Sequence, residues 1–85
     1  MREVEFENDA LIEFLDWEKT DNKIFTKIVK LIADCRNDPF IGIGKPEPLK
    51  HKLKGYWSRR INNEHRLVYQ VTPTAVIIIS CKFHY

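Results

Sequence analysis

Hydrophobic and polar residues alternate at the start of the chain and then change to a helical period. Residues 2–7, REVEFE, set Val4 and Phe6 between charged residues, which predicts a short strand with one buried face. In the next stretch, NDALIEFLDWEK, apolar residues recur every three or four positions, which predicts a helix that begins at an N-cap of Asn8 or Asp9. Leu11, Phe14, Leu15 and Glu18 have the i, i+3, i+4, i+7 spacing of one helix face, on which the predicted apolar stripe ends before Glu18.

A second helix is predicted directly after Thr20-Asp21, a pair that can cap it. Lysines lie on the polar side of this helix, and Asp38-Pro39 is expected to end it because proline disfavours helical geometry in the preceding residue. The predicted apolar face consists of Ile24, Ile28, Leu31, Ile32 and Cys35. The two helices are therefore expected to form an antiparallel pair.

The remainder of the chain is predicted to form one long loop and three strands. Residues 39–52, PFIGIGKPEPLKHK, contain three prolines and two glycines, and loops of this length in small domains are usually functional. The runs KGYWSRRI, HRLVYQV and AVIIISCKFHY are separated by short turns, which predicts antiparallel neighbours, the last reaching Tyr85. The predicted fold is α+β, in the order β-α-α-β-β-β: one domain over residues 1–85, with two helices on one face of a small, mainly antiparallel sheet.

Alternation along the three predicted strands divides their side chains between two faces of the sheet. The helices require the apolar face, so Arg66, Lys82 and His84 are predicted on the opposite, open face, which is basic. Arg59 and Arg60 must point to opposite faces, and the pattern alone does not decide which of them is on the open one.

Charge is distributed unevenly, although the formal net charge is only +2. Residues 1–38 hold six Lys/Arg against ten Asp/Glu, whereas residues 39–85 hold eight against two. This asymmetry is compatible with a polyanion-binding face in the second half, and equally with a surface on which the charges intermix after folding.

Several other classes of protein are disfavoured by the sequence. There is no signal-peptide pattern and no apolar run long enough for a membrane span, so we expect no membrane association. The two cysteines, Cys35 and Cys81, lie in apolar surroundings and have no histidine at ligand spacing. We therefore expect a reduced, cytoplasmic protein with buried thiols and no metal ion or other cofactor.

A basic face that carries a histidine is suited to phosphodiester chemistry. RNA can be cleaved by a base that deprotonates the 2′-hydroxyl, a cation that stabilises the phosphoryl oxygens and an acid that protonates the leaving oxygen. Glu47, between Pro46 and Pro48, suits a rigidly placed base, or is a loop carboxylate stabilised by lysines. Arg66 either directs its donor fork at a phosphate or is a surface arginine near Glu64.

The histidines differ in their value as candidates. His84 follows an apolar run and is either an acid or base, or a residue without a task. His51 in the loop and His65 at the margin of the core are weaker candidates. Tyr85 could stack on a nucleotide base, as aromatic side chains commonly do in RNA recognition.

Four stretches, KPEPLKH, WSRRI, EHRLVY and the final HY, together closely resemble the YoeB/Txe family of bacterial toxin endoribonucleases, in the RelE/ParE superfamily. The resemblance covers nearly the whole chain and implies the RelE-like microbial ribonuclease fold and metal-independent cleavage of mRNA in the ribosomal A site. It implies that Glu47 is the general base, His84 the general acid and Arg66 the transition-state cation. It further implies that Lys50 and Arg60 contact phosphate or ribosomal RNA and that Tyr85 positions the nucleotide.

The same resemblance implies partners. They are a YefM-like antitoxin, the ribosome with its mRNA, operator DNA reached only through the antitoxin, and a second copy of the chain in a homodimer. The alternative is a relative of the same fold that does not cleave RNA, but binds an antitoxin or nucleic acid and regulates its own operon. Glu47, Arg66, His84 and Tyr85 are all present, which favours the nuclease.

Overall fold

Two helices cover one face of a five-stranded sheet in the computed structural model, which describes residues 1–83. The elements are β1 (Glu3–Phe6), α1 (Asn8–Thr20), α2 (Asn22–Asn37), β2 (Glu47–Pro48), a 3₁₀ turn (His51–Leu53), β3 (Tyr56–Arg60), β4 (Arg66–Val71) and β5 (Ala75–Ser80). The strand order is β1-β5-β4-β3-β2, with β1 parallel to β5 and the other pairs antiparallel. The predicted α+β architecture is confirmed, and β2 is an additional strand within the predicted loop.

The first helix is rotated relative to the prediction. Leu11 and Leu15 are 42% and 46% exposed, whereas Ala10 and Trp17 are buried and Phe14 is half-buried. The small side chain of Ala10 allows the helix to approach the segment after β5 closely, and the Cys81 thiol lies 3.8 Å from the Ala10 carbonyl. The predicted stripe through Leu11 and Leu15 is therefore wrong, and only Phe14 belongs to the packed face.

The predicted N-cap of α1 is also wrong. The helix begins one residue earlier, at Asn8, with Glu7 in the N-cap position and without a capping side chain. Glu7 is fixed by β5, since its N–H donates to the Ile78 carbonyl, and its own carbonyl accepts the first helical bond from Leu11. The end of β1 thus sets the start of the helix.

The second helix agrees with the prediction. The Asp21 carboxylate accepts a hydrogen bond from the Ile24 N–H at 3.2 Å, which caps the helix, and the helix ends at Asn37, before Asp38-Pro39. Its buried side chains are Ile28, Leu31, Ile32 and Cys35, with Ile24 half-buried. They pack on the sheet face that carries Leu67, Tyr69, Val76 and Ile78.

The last strand is shorter than predicted. It ends at Ser80, and a register shift between Val68 and Tyr69 pairs these residues with Ser80 and Ile78, so Ile79 is an extra residue on β5. Strict alternation therefore fails beyond Ile78. Lys82 does not lie on the open face as predicted; its ammonium lies 5.5 Å from the Trp17 ring, on α1.

Cys35 and Cys81 are both buried as free thiols, and burial raises the pKa of Cys35 to about 11 and that of Cys81 to about 12. Over residues 1–83, neither helix has the length and apolar content needed to cross a membrane.

Candidate active site

The pairing of β2, β3 and β4 places three of the predicted site residues on one face of the sheet. Glu47 is directly opposite Ser58, and Arg60 is directly opposite Arg66. Directly opposite residues in antiparallel strands share a face, as do residues two apart on one strand. Glu47, Arg60 and Arg66 therefore share the face that the helices leave open, in two rows about 7 Å apart along β3.

The side chains at the centre of this open face are buried, and the charged side chains lie at its margins. Ser58 and Val68, which lie opposite each other, are 1% and 4% exposed. Glu47 and Arg60 are exposed, and Arg66 is half-buried. The arrangement sets a carboxylate on one side of a buried centre and two guanidinium groups on the same face.

Arg66 is held by the turn that precedes β4. Its Nη1 donates to the carbonyls of Asn62 at 2.6 Å and His65 at 3.1 Å. In the described part of the chain, all hydrogen bonds of its guanidinium start from Nη1, which leaves the donors of Nε and Nη2 for another acceptor. Within the described residues, the guanidinium contacts these backbone carbonyls and forms no ion pair with Glu64.

Glu47 owes its position to the two-residue strand β2. Leu49, which follows β2, donates its N–H to the Tyr56 carbonyl at 2.9 Å and is buried. Prolines on both sides of Glu47 are compatible with an edge strand, where few backbone N–H groups are needed. Lys50, predicted to bind phosphate, is exposed and lies just after this anchor, ahead of the 3₁₀ turn.

A buried arginine holds the segment that leads into β2. Arg59 is fully buried in the core on the helix side of β3, and Arg60 therefore lies on the open face. The guanidinium of Arg59 forms an ion pair with Asp34 of α2, and its Nε donates to the Tyr69 hydroxyl at 3.2 Å. Its remaining partners are the carbonyls of Asp38, Ile41 and Ile43.

These contacts connect the core to the open face. Residues 38–44 wrap around the Arg59 guanidinium, and the Gly44 carbonyl then accepts the Arg60 N–H at 2.6 Å. Gly42, at φ +143°, lies so close to Asp34 that a Cβ there would overlap the carboxylate. Burial opposes the charge of Arg59, but hydrogen bonds with Tyr69 and Asp34 outweigh it and raise the pKa of the guanidinium.

Stability at acidic pH is expected to depend on Asp34. Its hydrogen bond with Arg59, assisted by the Ile43 N–H, lowers the pKa of this carboxyl. A lowered pKa stabilises the fold above the unfolded-state pKa, and this contribution is lost as the pH falls through the folded-state value. We therefore expect the free energy of unfolding to decrease below about pH 4, and Asp34→Asn to flatten that decrease.

Urea titrations at a series of pH values between neutral and acidic would measure this effect. Asp9→Asn is the matched control, because Asp9 is an exposed carboxyl on α1. An acidic slope as steep in Asp34→Asn as in the unchanged chain would contradict the prediction.

The structure also locates two residues that the sequence ranked low or left open. His65 is only 5% exposed and its ring contacts Trp17 and Phe83, and Arg59 is the centre of the network described above. The sequence signal for His65 was its position next to Arg66 in EHRLVY, and the only sequence signal for Arg59 was the alternation along its strand.

His84 and Tyr85 lie outside the described residues. No group of three or more metal-ligating side chains is present within residues 1–83.

Comparison with known protein families gives one consistent result. The model of a family described as "YoeB-like toxin of bacterial type II toxin-antitoxin system" matches residues 6–85. The chain is 56% identical over 73 residues to Toxin YoeB of Escherichia coli K12, covering 86% of this chain and 87% of that protein. It is 49% identical over 85 residues to Toxin RelK of Mycobacterium tuberculosis, covering all of both chains.

Solved structures agree with the sequence relatives. A YoeB/ParE toxin from Agrobacterium tumefaciens matches with a TM-score of 0.94 and 41% identity, over 98% of this chain and 99% of that one. A YoeB dimer from Staphylococcus aureus matches with a TM-score of 0.91 and 42% identity, over 99% and 98% of the chains. A YoeB–YefM complex from the same organism matches with a TM-score of 0.89 and 43% identity, over 100% and 99%. The predicted RelE-like fold is confirmed by these likenesses.

Proposed function

Because this chain belongs to the YoeB-like toxin family of bacterial type II toxin–antitoxin systems, we propose that it is an endoribonuclease that cleaves mRNA in the ribosomal A site and so inhibits translation. The observation that carries the proposal is the shared open face of Glu47, Arg60 and Arg66, which is set by the register of β2, β3 and β4. A carboxylate and two guanidinium groups on one face supply a base and the cations that an RNA backbone requires.

The proposed reaction uses each group once. Glu47 takes the proton from a ribose 2′-hydroxyl, and the 2′-oxygen attacks the adjacent phosphorus. Arg66 stabilises the charge that develops on the non-bridging oxygens, using the Nε and Nη2 donors that its contacts with Asn62 and His65 leave over. His84 protonates the departing 5′-oxygen, which leaves a 2′,3′-cyclic phosphate. No metal ion takes part in this scheme.

The remaining predicted residues would bind rather than react. Arg60 and Lys50 are exposed near Glu47 and would contact phosphates of mRNA or ribosomal RNA. Tyr85 would stack on the nucleotide at the cut, an interaction worth about 1–3 kcal/mol per base.

The partners proposed for this chain follow from its relatives. Since structures named for a YoeB–YefM complex and a YoeB dimer match it over nearly their whole length, we propose a YefM-like antitoxin and a homodimer. Exposed apolar side chains on α1 and in residues 40–43 offer contact area for protein partners. Operator DNA would be reached only through the antitoxin. The proposed compartment is the cytoplasm, where ribosomes and reduced thiols such as Cys35 and Cys81 coexist.

Ribosome dependence can be tested by expressing the chain without its antitoxin and mapping new mRNA 5′ ends. A reporter transcript would be compared with the same transcript lacking its start codon. We expect growth arrest and new ends at codons of the translated form only. Equal cleavage of both forms would contradict ribosome dependence, and absence of cleavage in both would favour the alternative module that binds without cutting.

A further inference from the structure

The segment that follows β5 is held by side chains from two other elements. The Glu13 carboxylate of α1 accepts the Cys81 N–H, and the Trp17 indole N–H donates to the Cys81 carbonyl, each at 2.9 Å. Two residues later, Phe83 is held by His65, just before β4, and by Arg66, the first residue of β4. The Phe83 N–H donates to His65 Nδ1 at 2.7 Å, and the Phe83 carbonyl accepts the Arg66 N–H at 3.0 Å.

The environment of His65 fixes the role of each ring nitrogen. Nδ1 accepts the Phe83 N–H, so the ring proton is on Nε2, which lies 3.5 Å from the Glu64 carboxylate. The ring is packed between aromatic groups, with centroids 4.8 Å from Trp17 and 5.4 Å from Phe83. His65 is thus a buried, oriented acceptor for a single backbone group.

Phe83 has a backbone conformation that its side chain does not favour. Its φ is +60°, in the left-handed region that non-glycine residues rarely adopt. Such conformations persist only where the surroundings impose them. Here the surroundings are the hydrogen bonds to His65 and Arg66 on both sides of the same residue.

We propose that His65 is a positioning residue of the candidate active site: by accepting the Phe83 N–H, it fixes Phe83, the residue that precedes His84 and Tyr85 in the sequence. This inference rests on the proposed function, in which His84 is the acid and Tyr85 the stacking residue. Arg66 is connected to both His65 and Phe83. Its backbone N–H donates to the Phe83 carbonyl, and its guanidinium donates to the His65 carbonyl. In the proposed reaction His65 contacts neither the substrate nor the reacting atoms, and it acts through its hydrogen bonds with Phe83 and Arg66.

Two substitutions of His65 test the acceptor directly. His65→Leu fills a similar volume without an acceptor, and His65→Asn retains an acceptor oxygen close to the position of Nδ1. We expect His65→Leu to lower kcat about 10–100-fold with little change in KM, since a displacement of about 1 Å of a reacting group can cost about 10²-fold. His65→Asn should recover most of this loss.

A second pair of variants reaches the same hydrogen bond from its other side. Phe83 is 56% exposed, and Phe83→Pro removes the backbone donor and the positive φ together with the ring. Phe83→Ala keeps the N–H and is the matched control. We expect Phe83→Pro to lose kcat as His65→Leu does, and Phe83→Ala to lose less. This pair keeps the test decisive if His65→Leu fails to fold.

Hydrogen exchange of the Phe83 amide separates this inference from the proposed function, because it requires no substrate. In a Glu47→Gln background, followed by NMR, exchange should be about 10-fold faster in His65→Leu and near its original rate in His65→Asn. Equal exchange in the unsubstituted protein and His65→Leu would overturn the inference whether or not RNA is cleaved. Equal loss of kcat in His65→Asn and His65→Leu would overturn it as well. If the unsubstituted chain cleaves no RNA, the proposed function fails and the exchange rates alone decide the role of His65.

Discussion

Single-turnover cleavage of mRNA on the ribosome is expected to fall about 10²–10⁴-fold when Glu47 is replaced by glutamine, while ribosome binding is retained. The reason is that glutamine keeps the size and position of the side chain opposite Ser58 but cannot accept a proton. Glu18→Gln is the matched control, because Glu18 is an exposed carboxylate on α1, away from the open face. Cleavage by Glu47→Gln at the level of Glu18→Gln would remove Glu47 from the reaction.

His84→Ala is expected to lose activity on the same scale, and pH profiles can assign the two roles. A general base must be deprotonated, so its loss removes the dependence of the rate on the acidic side; loss of a general acid removes the dependence on the alkaline side. We expect Glu47→Gln to flatten the acidic limb and His84→Ala the alkaline limb. The reverse pattern would exchange the two assignments and retain both residues.

The second large effect concerns stability. Arg59→Ala is expected to lower the free energy of unfolding by about 3–5 kcal/mol, because it breaks a buried charge pair and leaves the carbonyls of residues 38, 41 and 43 without their donor. This is a large fraction of the total stability of a small domain. Its neighbour Arg60 provides a matched control: it carries the same charge but is exposed on the other face, so Arg60→Ala should change stability by less than about 0.5 kcal/mol.

Urea denaturation of both arginine variants in the Glu47→Gln background would measure the difference without toxicity to the host. Similar midpoints for Arg59→Ala and Arg60→Ala would show that the buried guanidinium contributes little. Because residues 38–44 lead directly into β2, a destabilised Arg59 variant should also lose the position of Glu47, and its cleavage should fall together with its stability.

Much of this fold could be predicted from local patterns. The Asp21 cap, the apolar face of α2 and the three antiparallel strands each depend on residues close together in the sequence, and each is confirmed. The orientation of α1 could not be predicted in this way. Its sequence contains two neighbouring apolar stripes, and the choice between Leu11 and Ala10 depends on how closely the helix approaches β5.

In the candidate site, too, features set by local patterns could be predicted, and features set by contacts distant in the sequence could not. Alternation correctly separated Arg59 from Arg60, but the burial of Arg59 depends on Asp34, Tyr69 and carbonyls that lie at least ten residues away in the chain. Strand β2 was missed because a strand of two residues, one of them Pro48, carries no periodic signal. Strand β5 ends at Ser80, so alternation no longer assigns a face to Lys82, which lies beside Trp17 of α1 instead of on the predicted face.

The pairing of β1 with β5 has a consequence for synthesis. Glu3 pairs with Ala75 and Phe6 with Ile78, so the first strand made must wait for the last strand described before it can enter the sheet. Contacts of such long sequence separation slow folding, and on the ribosome they cannot form until the C-terminal part of the chain has emerged. A nascent chain that stops before Ala75 lacks β5, the strand that lies between β1 and the central strand β4. Strand β1 therefore enters the sheet only after β5 has been made, late in folding.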